Sequence, residues 1–290
     1  MIIYLIAMEN SINIPTSYKI DLPTENELYY NDNHKPQIKQ PLFDASQGYC
    51  MYCGKRMVIE TDVGAQLEHS VDKKGNIGQE ASDKDKRWRY LRHCKHNFAL
   101  SCPTCNMVCK KHIEKIDLTQ YPVTITCKTT DCNENYCDTY RDLRRDYIKR
   151  NAIILQPNGI ETDYIKYGIS YDLIKHIYVP SPTSIDISKE NCEEYGYEYN
   201  KALFYIQNHI DRFCLNGERF SECIIDICSD IVFLWENGFS EISAFWDYYQ
   251  DKVLDNIIGS LFVEYLKEHF NDLSKMIEYC RLIVLLYSIC

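Results

Sequence analysis

No stretch of this 290-residue chain is apolar for long enough to cross a bilayer. The opening Ile2-Ile3-Tyr4-Leu5-Ile6-Ala7 run falls far short of the roughly 20 residues a spanning helix needs. No basic segment with a cleavage site precedes a long apolar stretch, so a secretory leader is not expected. Internal repeats and low-complexity tracts are also absent, which argues against solenoids and disordered scaffolds. Positive charge is in deficit, with 32 Lys and Arg against 42 Asp and Glu and a formal net charge of −10. Such a balance excludes indiscriminate whole-surface binding to nucleic acid, whose affinity comes mainly from neutralised phosphates.

What the chain does have is cysteine, 15 residues of it. The odd count and the length do not fit a small disulfide scaffold, and a reducing, cytoplasmic setting is the expectation. With 45% hydrophobic residues the chain can bury a sizeable core, expected as one compact unit and an appended domain.

Four of the cysteines form matched pairs, Cys50-Met51-Tyr52-Cys53 and Cys102-Pro103-Thr104-Cys105. Cys-x2-Cys turns bring two thiolates to one side at metal-bonding distance, and two such turns make a tetrahedral zinc site. Gly54 permits the first tight turn. Cys214, Cys223, Cys228 and Cys280 read instead as small buried apolar residues on helical faces. Cys127, Cys132 and Cys137 lack an obvious fourth ligand and read as incidental thiols.

Between the pairs lie Glu68-His69 and Asn97, and Asn106 follows the second pair directly. Adjacent residues on a strand point to opposite faces, which would let the Glu68 carboxylate and the His69 imidazole do different jobs. Residues 84–111 carry eight Lys or Arg against one acid, Asp85, so a basic stretch runs through this region. Trp88 and Tyr90 within it read as packing residues, with base stacking as the alternative.

The organisation reads as four parts. Residues 1–45 form a polar, proline-interrupted arm; residues 46–118 hold the cysteine pairs. Residues 119–185 form a small β region, with strands expected at 123–127, 152–155 and 160–167. Residues 186–290 form a helical lobe, on apolar spacings such as Leu203, Ile206, Ile210, Phe213 and Ile224, Ile227, Cys228, Ile231. Its last apolar run, Leu282 to Tyr287, is expected to be buried in the lobe or against another chain. The fold class is therefore α+β.

The run Gln47-Gly48-Tyr49-Cys50-Met51-Tyr52-Cys53, Glu68-His69 with Lys73, and Asn97-Phe98-Ala99-Leu100-Ser101-Cys102-Pro103-Thr104-Cys105-Asn106 with Lys110 resembles the cysteine-flanked HNH endonucleases. The resemblance implies a ββα-metal finger buttressed by structural Zn²⁺ on Cys50, Cys53, Cys102 and Cys105. It also implies a catalytic Mg²⁺ or Mn²⁺ on Glu68 and Asn106, with His69 as general base and Asn97 orienting the imidazole or its strand. Lys73, Lys110 and Lys111 would contact nucleic acid, Lys110 being equally readable as an ordinary exposed lysine.

More narrowly, the order of parts is similar to the HNH subunit of Septu and retron-linked anti-phage systems, the PtuB family. A Leu-Asn element in the helical region is matched here by Leu215-Asn216. That likeness implies an ABC-type or OLD-like ATPase partner and DNA as substrate. RNA cleavage and a non-catalytic zinc module that binds nucleic acid or protein are the alternatives. His69-Ser70-Val71-Asp72-Lys73 departs from the family's His-x-x-Pro-Lys, and residues 75–95 are longer and more charged than a minimal finger.

Overall fold

Two small sheets and seven α-helices make up the regular structure among the described residues of the computed structural model. Those residues are 10–14, 35–59, 64–71, 97–112, 138–152, 169–180 and 202–288. The elements in order are β1 (Ser11–Asn13), α1 (Lys35–Ala45), β2 (Gln66–His69), β3 (Phe98–Ser101), α2 (Asp138–Asn151), β4 (Ile169–Asp172) and β5 (Ile177–Pro180). Five helices follow: α3 (Ala202–Arg212), α4 (Glu218–Glu236), α5 (Ile242–Gln250), α6 (Ile257–His269) and α7 (Leu273–Tyr287). No helix among the described residues is long and apolar enough to cross a membrane.

β2 and β3 pair antiparallel, with Glu68 opposite Ala99 and His69 opposite Phe98. A second, three-stranded sheet has the order β1-β4-β5, so the N-terminal arm supplies an edge strand to residues far along the chain. The arm also contains α1, which sequence reading had passed over. Pro41 lies inside that helix, and its apolar anchors Ile38 and Leu42 are fully buried. A proline normally ends a helix by deleting one amide bond; burial of this short apolar stripe is what offsets the loss.

The helical spacing in α4 reads correctly, since Ile224, Ile227, Cys228 and Ile231 are all buried. In α3 the inward face is Tyr205, Ile206 and Ile210, whereas Leu203 is 43% exposed. The last apolar run divides: Ile283 is buried, but Leu285 and Tyr287 face solvent at 55% and 38% exposure. Cys228 and Cys280 are buried as expected. Cys214 is not on a helical face; it lies exposed in a turn at φ 53° after α3. Of the expected β-region strands, 123–127, 153–155 and 160–167 lie outside the described residues. Ala152 sits in a turn at φ 47°.

One continuous buried apolar cluster runs from Ile12 through the cysteine pairs to Ile283. Within it the first cysteine turn joins directly to the start of α6. Ile257 N donates to Gly54 O at 2.8 Å, and Arg56 N donates to Asp255 O at 2.8 Å. Gly54 has φ 68°, and a Cβ there would collide with Ile257. Asn256, only 2% exposed, caps α6 by accepting from Ile258 N at 3.0 Å and donates its amide to Cys53 O at 3.2 Å. Leu215-Asn216 makes an analogous clasp, with the Asn216 amide bonded in both directions to the Tyr178 peptide.

Asn256→Ala removes a cap and a buried donor together and is expected to cost about 2–4 kcal/mol. Urea unfolding at constant slope measures it, and Asn256→Ser, which keeps a capping oxygen without burying a charge, is expected to cost less.

Candidate metal centre and adjoining polar cluster

Cys50 to Gly54 is a tight chain reversal: Cys50 N donates to Lys55 O and Gly54 N to Cys50 O, each at 2.8 Å. Met51 docks the reversal onto β3, its N donating to Leu100 O at 3.0 Å while its sulfur accepts from Leu100 N at 3.3 Å. The second cysteine pair leaves β3 and enters a π-helical turn, Thr104–Val108, continued by a 3-10 turn, Cys109–His112. The two reversals therefore meet at the end of the hairpin.

The four sulfurs of Cys50, Cys53, Cys102 and Cys105 lie within 4.8 Å of one another, all four residues being buried. Cys53 Sγ and Cys102 Sγ are 3.8 Å apart. That is the edge of a tetrahedron with zinc–sulfur bonds of about 2.3 Å. Cys102 N donates to Cys50 Sγ at 3.3 Å, so backbone amides already face the sulfurs and offset their negative charge. Donation from Cys105, and then from Cys50 and Cys53, holds the Cys102 thiol well below its ordinary range. Its bond to Cys102 pushes Cys105 up, and the same cause acts first on Cys53, where burial adds to it. Four thiols in one buried site cannot all ionise without a cation, and a zinc ion bound there would supply it while displacing the remaining protons.

Beside this centre the hairpin presents two faces. Pleating puts Gln66 and Glu68 on one and Leu67 and His69 on the other. His69, 8% exposed, meets the Phe98 ring edge-on at a centroid distance of 5.2 Å. Asn97 is fully buried and grips the backbone of one residue in both directions: its Oδ1 accepts from Val71 N at 2.7 Å and its Nδ2 donates to Val71 O at 2.9 Å. Ser70 N donates to Asn97 O at 2.8 Å. The chain just beyond His69 is thereby tied to the start of β3.

On the opposite face, Glu68 is 4% exposed and both its oxygens are engaged. Tyr52 Oη donates to Oε2 at 2.6 Å, and the Lys110 ammonium pairs with Oε1. Lys110 Nζ also donates to the carbonyls of His69 and Ser70, at 2.9 Å each, and stands 5.6 Å from the Tyr52 ring centroid. Burial, with the Glu68 charge next, drives the Tyr52 phenol well above its ordinary range, keeping it a donor. Asn106 Nδ2 donates to Gln66 Oε1 at 2.9 Å. Asn106 and Lys110 thus both lie along β2 through one helical turn, and Lys110 is a buried ion-pair partner rather than an exposed lysine.

Tyr52 also stacks on Phe213 at 4.7 Å between centroids and on His209 at 6.5 Å, which connects the cysteine turn, Glu68 and the end of α3. Gln66 did not stand out in the sequence, its one signal being the two-residue spacing from Glu68. Tyr52 belonged to the Gln47 to Cys53 run that carries the family resemblance, but without a role of its own. Lys73 lies outside the described residues, as do Trp88, Tyr90, Cys127, Cys132 and Cys137. Lys111 belongs to the 3-10 turn, its side chain lying outside what is described.

No protein-family model matches this chain, and neither a curated protein nor a solved structure shows significant similarity to it.

The purified protein is expected to contain about one zinc per chain, with Cys105→Ser losing it and a strong chelator lowering the melting temperature. Because Cys53 and Cys105 release protons on binding, apparent zinc affinity is expected to rise as pH increases from about 5 to 8. Atomic absorption and competition titrations against a chromophoric chelator check both statements.

Proposed function

We propose that this chain is a metal-dependent HNH-type endonuclease hydrolysing phosphodiester bonds in DNA, the nuclease effector of a bacterial anti-phage complex gated by an ATPase. The observation that carries the reading is the sequence of parts in space. A hairpin bearing Glu68-His69 runs into a helical turn bearing Asn106, with a four-sulfur cluster closing the hairpin's end. A zinc scaffold alone needs no buried carboxylate and histidine on such a hairpin, with an asparagine at the start of its second strand and another on the turn that follows.

The residues fit a divalent cation in donor type and in charge. Glu68 and Asn106 offer hard oxygens. Three oxygens, from Glu68, His69 and Ser70, already converge on one ammonium, which marks this face as favourable to positive charge. Glu68 and Asn106 would hold Mg²⁺ or Mn²⁺, which when bound supplies charge stabilisation at a phosphate and its leaving oxygen.

His69 is the general base of this reading, accepting a proton from the attacking water on an imidazole nitrogen, a role for which histidine is the usual side chain. Phe98 limits the tilt of that ring, and Asn97, by holding the Val71 backbone, limits movement of the backbone that carries it. Tyr52 keeps the Glu68 carboxylate in one orientation from the opposite side of the hairpin. The partner reading draws support from exposed apolar side chains on the helical lobe, including Phe233 and Trp235 on α4 and Leu285 on α7.

Plasmid cleavage with Mg²⁺ or Mn²⁺, with and without a candidate ATPase, is expected for the wild type. His69→Ala is expected to lower the rate by about 10²–10⁴-fold with zinc content unchanged. Equal behaviour of the two proteins on DNA and on RNA under every condition would leave the zinc-module reading in its place. Co-purification of the full-length chain with the ATPase tests the gating partner, and failure with folded protein counts against it.

A further inference from the structure

The ammonium of Lys110 stands where the proposed reaction wants a metal ion. It pairs with Glu68 Oε1 and takes the His69 and Ser70 carbonyls as its other acceptors, so all three ammonium hydrogens have an oxygen to meet. Both partners are buried, Lys110 at 9% exposure and Glu68 at 4%. The second carboxylate oxygen is held by Tyr52. In this arrangement Glu68 already has a full counter-charge.

We infer that Lys110 is a resident counter-cation which must leave Glu68 before a divalent ion binds there, so that ion binding and Lys110 release are one exchange. The inference rests on the proposed ion at Glu68 and adds a step to it. An ammonium and a divalent cation on neighbouring lone pairs of one carboxylate repel each other strongly in a site of low dielectric. Full occupancy by both is therefore unfavourable, and each tunes the affinity of the other.

The local chain is built to allow the exchange. Lys110 belongs to a 3-10 turn that directly continues a π-helical turn, irregular helical forms of the kind that recur at hinges and functional sites. The lysine stem has four rotatable carbons, and Met107 and Val108 on the same segment are exposed at 58% and 62%, so solvent is close by. Removing Lys110 leaves an oxygen cradle with negative charge and no cation. The exchange also sets specificity: an ion must be charged and compact enough to outcompete a tethered ammonium, which favours divalent over monovalent cations.

The test uses the full-length, zinc-loaded protein and Mn²⁺ as the probe, followed by the electron paramagnetic resonance signal of the free ion. Lys110→Met and Lys110→Gln are each expected to bind Mn²⁺ about 10-fold or more tightly than the wild type, and Glu68→Gln to abolish the tight site. In the wild type, acetylation of Lys110, followed by peptide mass spectrometry, is expected to accelerate when Mn²⁺ saturates the protein. Equal or weaker Mn²⁺ binding in lysine variants that keep zinc and fold overturns the exchange. So does a Lys110 acetylation rate unchanged by saturating Mn²⁺, which decides the matter even where both variants fail to fold. Absence of Mn²⁺ binding in every protein overturns both the exchange and the ion at Glu68. Tight, Glu68-dependent exchange without cleavage of any nucleic acid supports the exchange and sinks only the nuclease reading.

Discussion

Four buried sulfurs held within 4.8 Å of one another are the constraint around which this structure is arranged. Thiolates so close repel unless a cation neutralises them, and thiols so close leave a weakly bonded, poorly filled site. The cluster closes the end of the β2–β3 hairpin, anchors the π-helical turn, and fixes the Cys50 to Gly54 reversal against α6. Each of these pieces is too short to be stable alone. A two-stranded hairpin of four residues per strand is marginal in water, and one irregular helical turn is worse. Their stability comes from the shared cluster and from the apolar core that continues beyond it.

The polar side of the hairpin inherits its geometry from that anchoring. Tyr52 lies between two zinc-type cysteines, so whatever fixes the cysteine turn also fixes the hydroxyl on Glu68. Phe213 and His209 stack on the same ring, which makes α3 a mechanical neighbour of the buried carboxylate. A change at the helical lobe that displaced α3 would be felt first by Tyr52 and then by Glu68. Burial makes this coupling strong: an ion pair with no water around it gives up much when either partner moves.

Legibility in the sequence followed the range of the interaction. The cysteine cluster was legible because ligand spacing within each turn is local, and two equal turns point to one another. The α4 face was legible because Ile224, Ile227, Cys228 and Ile231 follow the helical period without interruption. Helix α1 was not, since Pro41 breaks the local rule and only tertiary burial of Ile38 and Leu42 overrides it. Cys214 misled because its spacing continues the α3 period one step past the point where the chain turns at φ 53°. The β1–β4 pairing joins residues about as far apart as Ser11 and Asp172, and no local pattern announces it.

By itself the sequence determined the four cysteines that could hold a zinc ion, the helical character of the C-terminal lobe and the chemical types gathered between the cysteine pairs. These depend on contacts within a few residues, where steric and periodic rules leave few choices. Only the tertiary structure decided that Lys110 faces inward to Glu68, that Tyr52 completes that carboxylate's partners, and that Asn97 grips the Val71 backbone. Lys110 and Glu68 are 42 residues apart in the chain, and Tyr52 and Glu68 are 16 apart. What brings them together is desolvation: once the hairpin is buried, a carboxylate, an ammonium and a phenol have no other partners that cost less than each other.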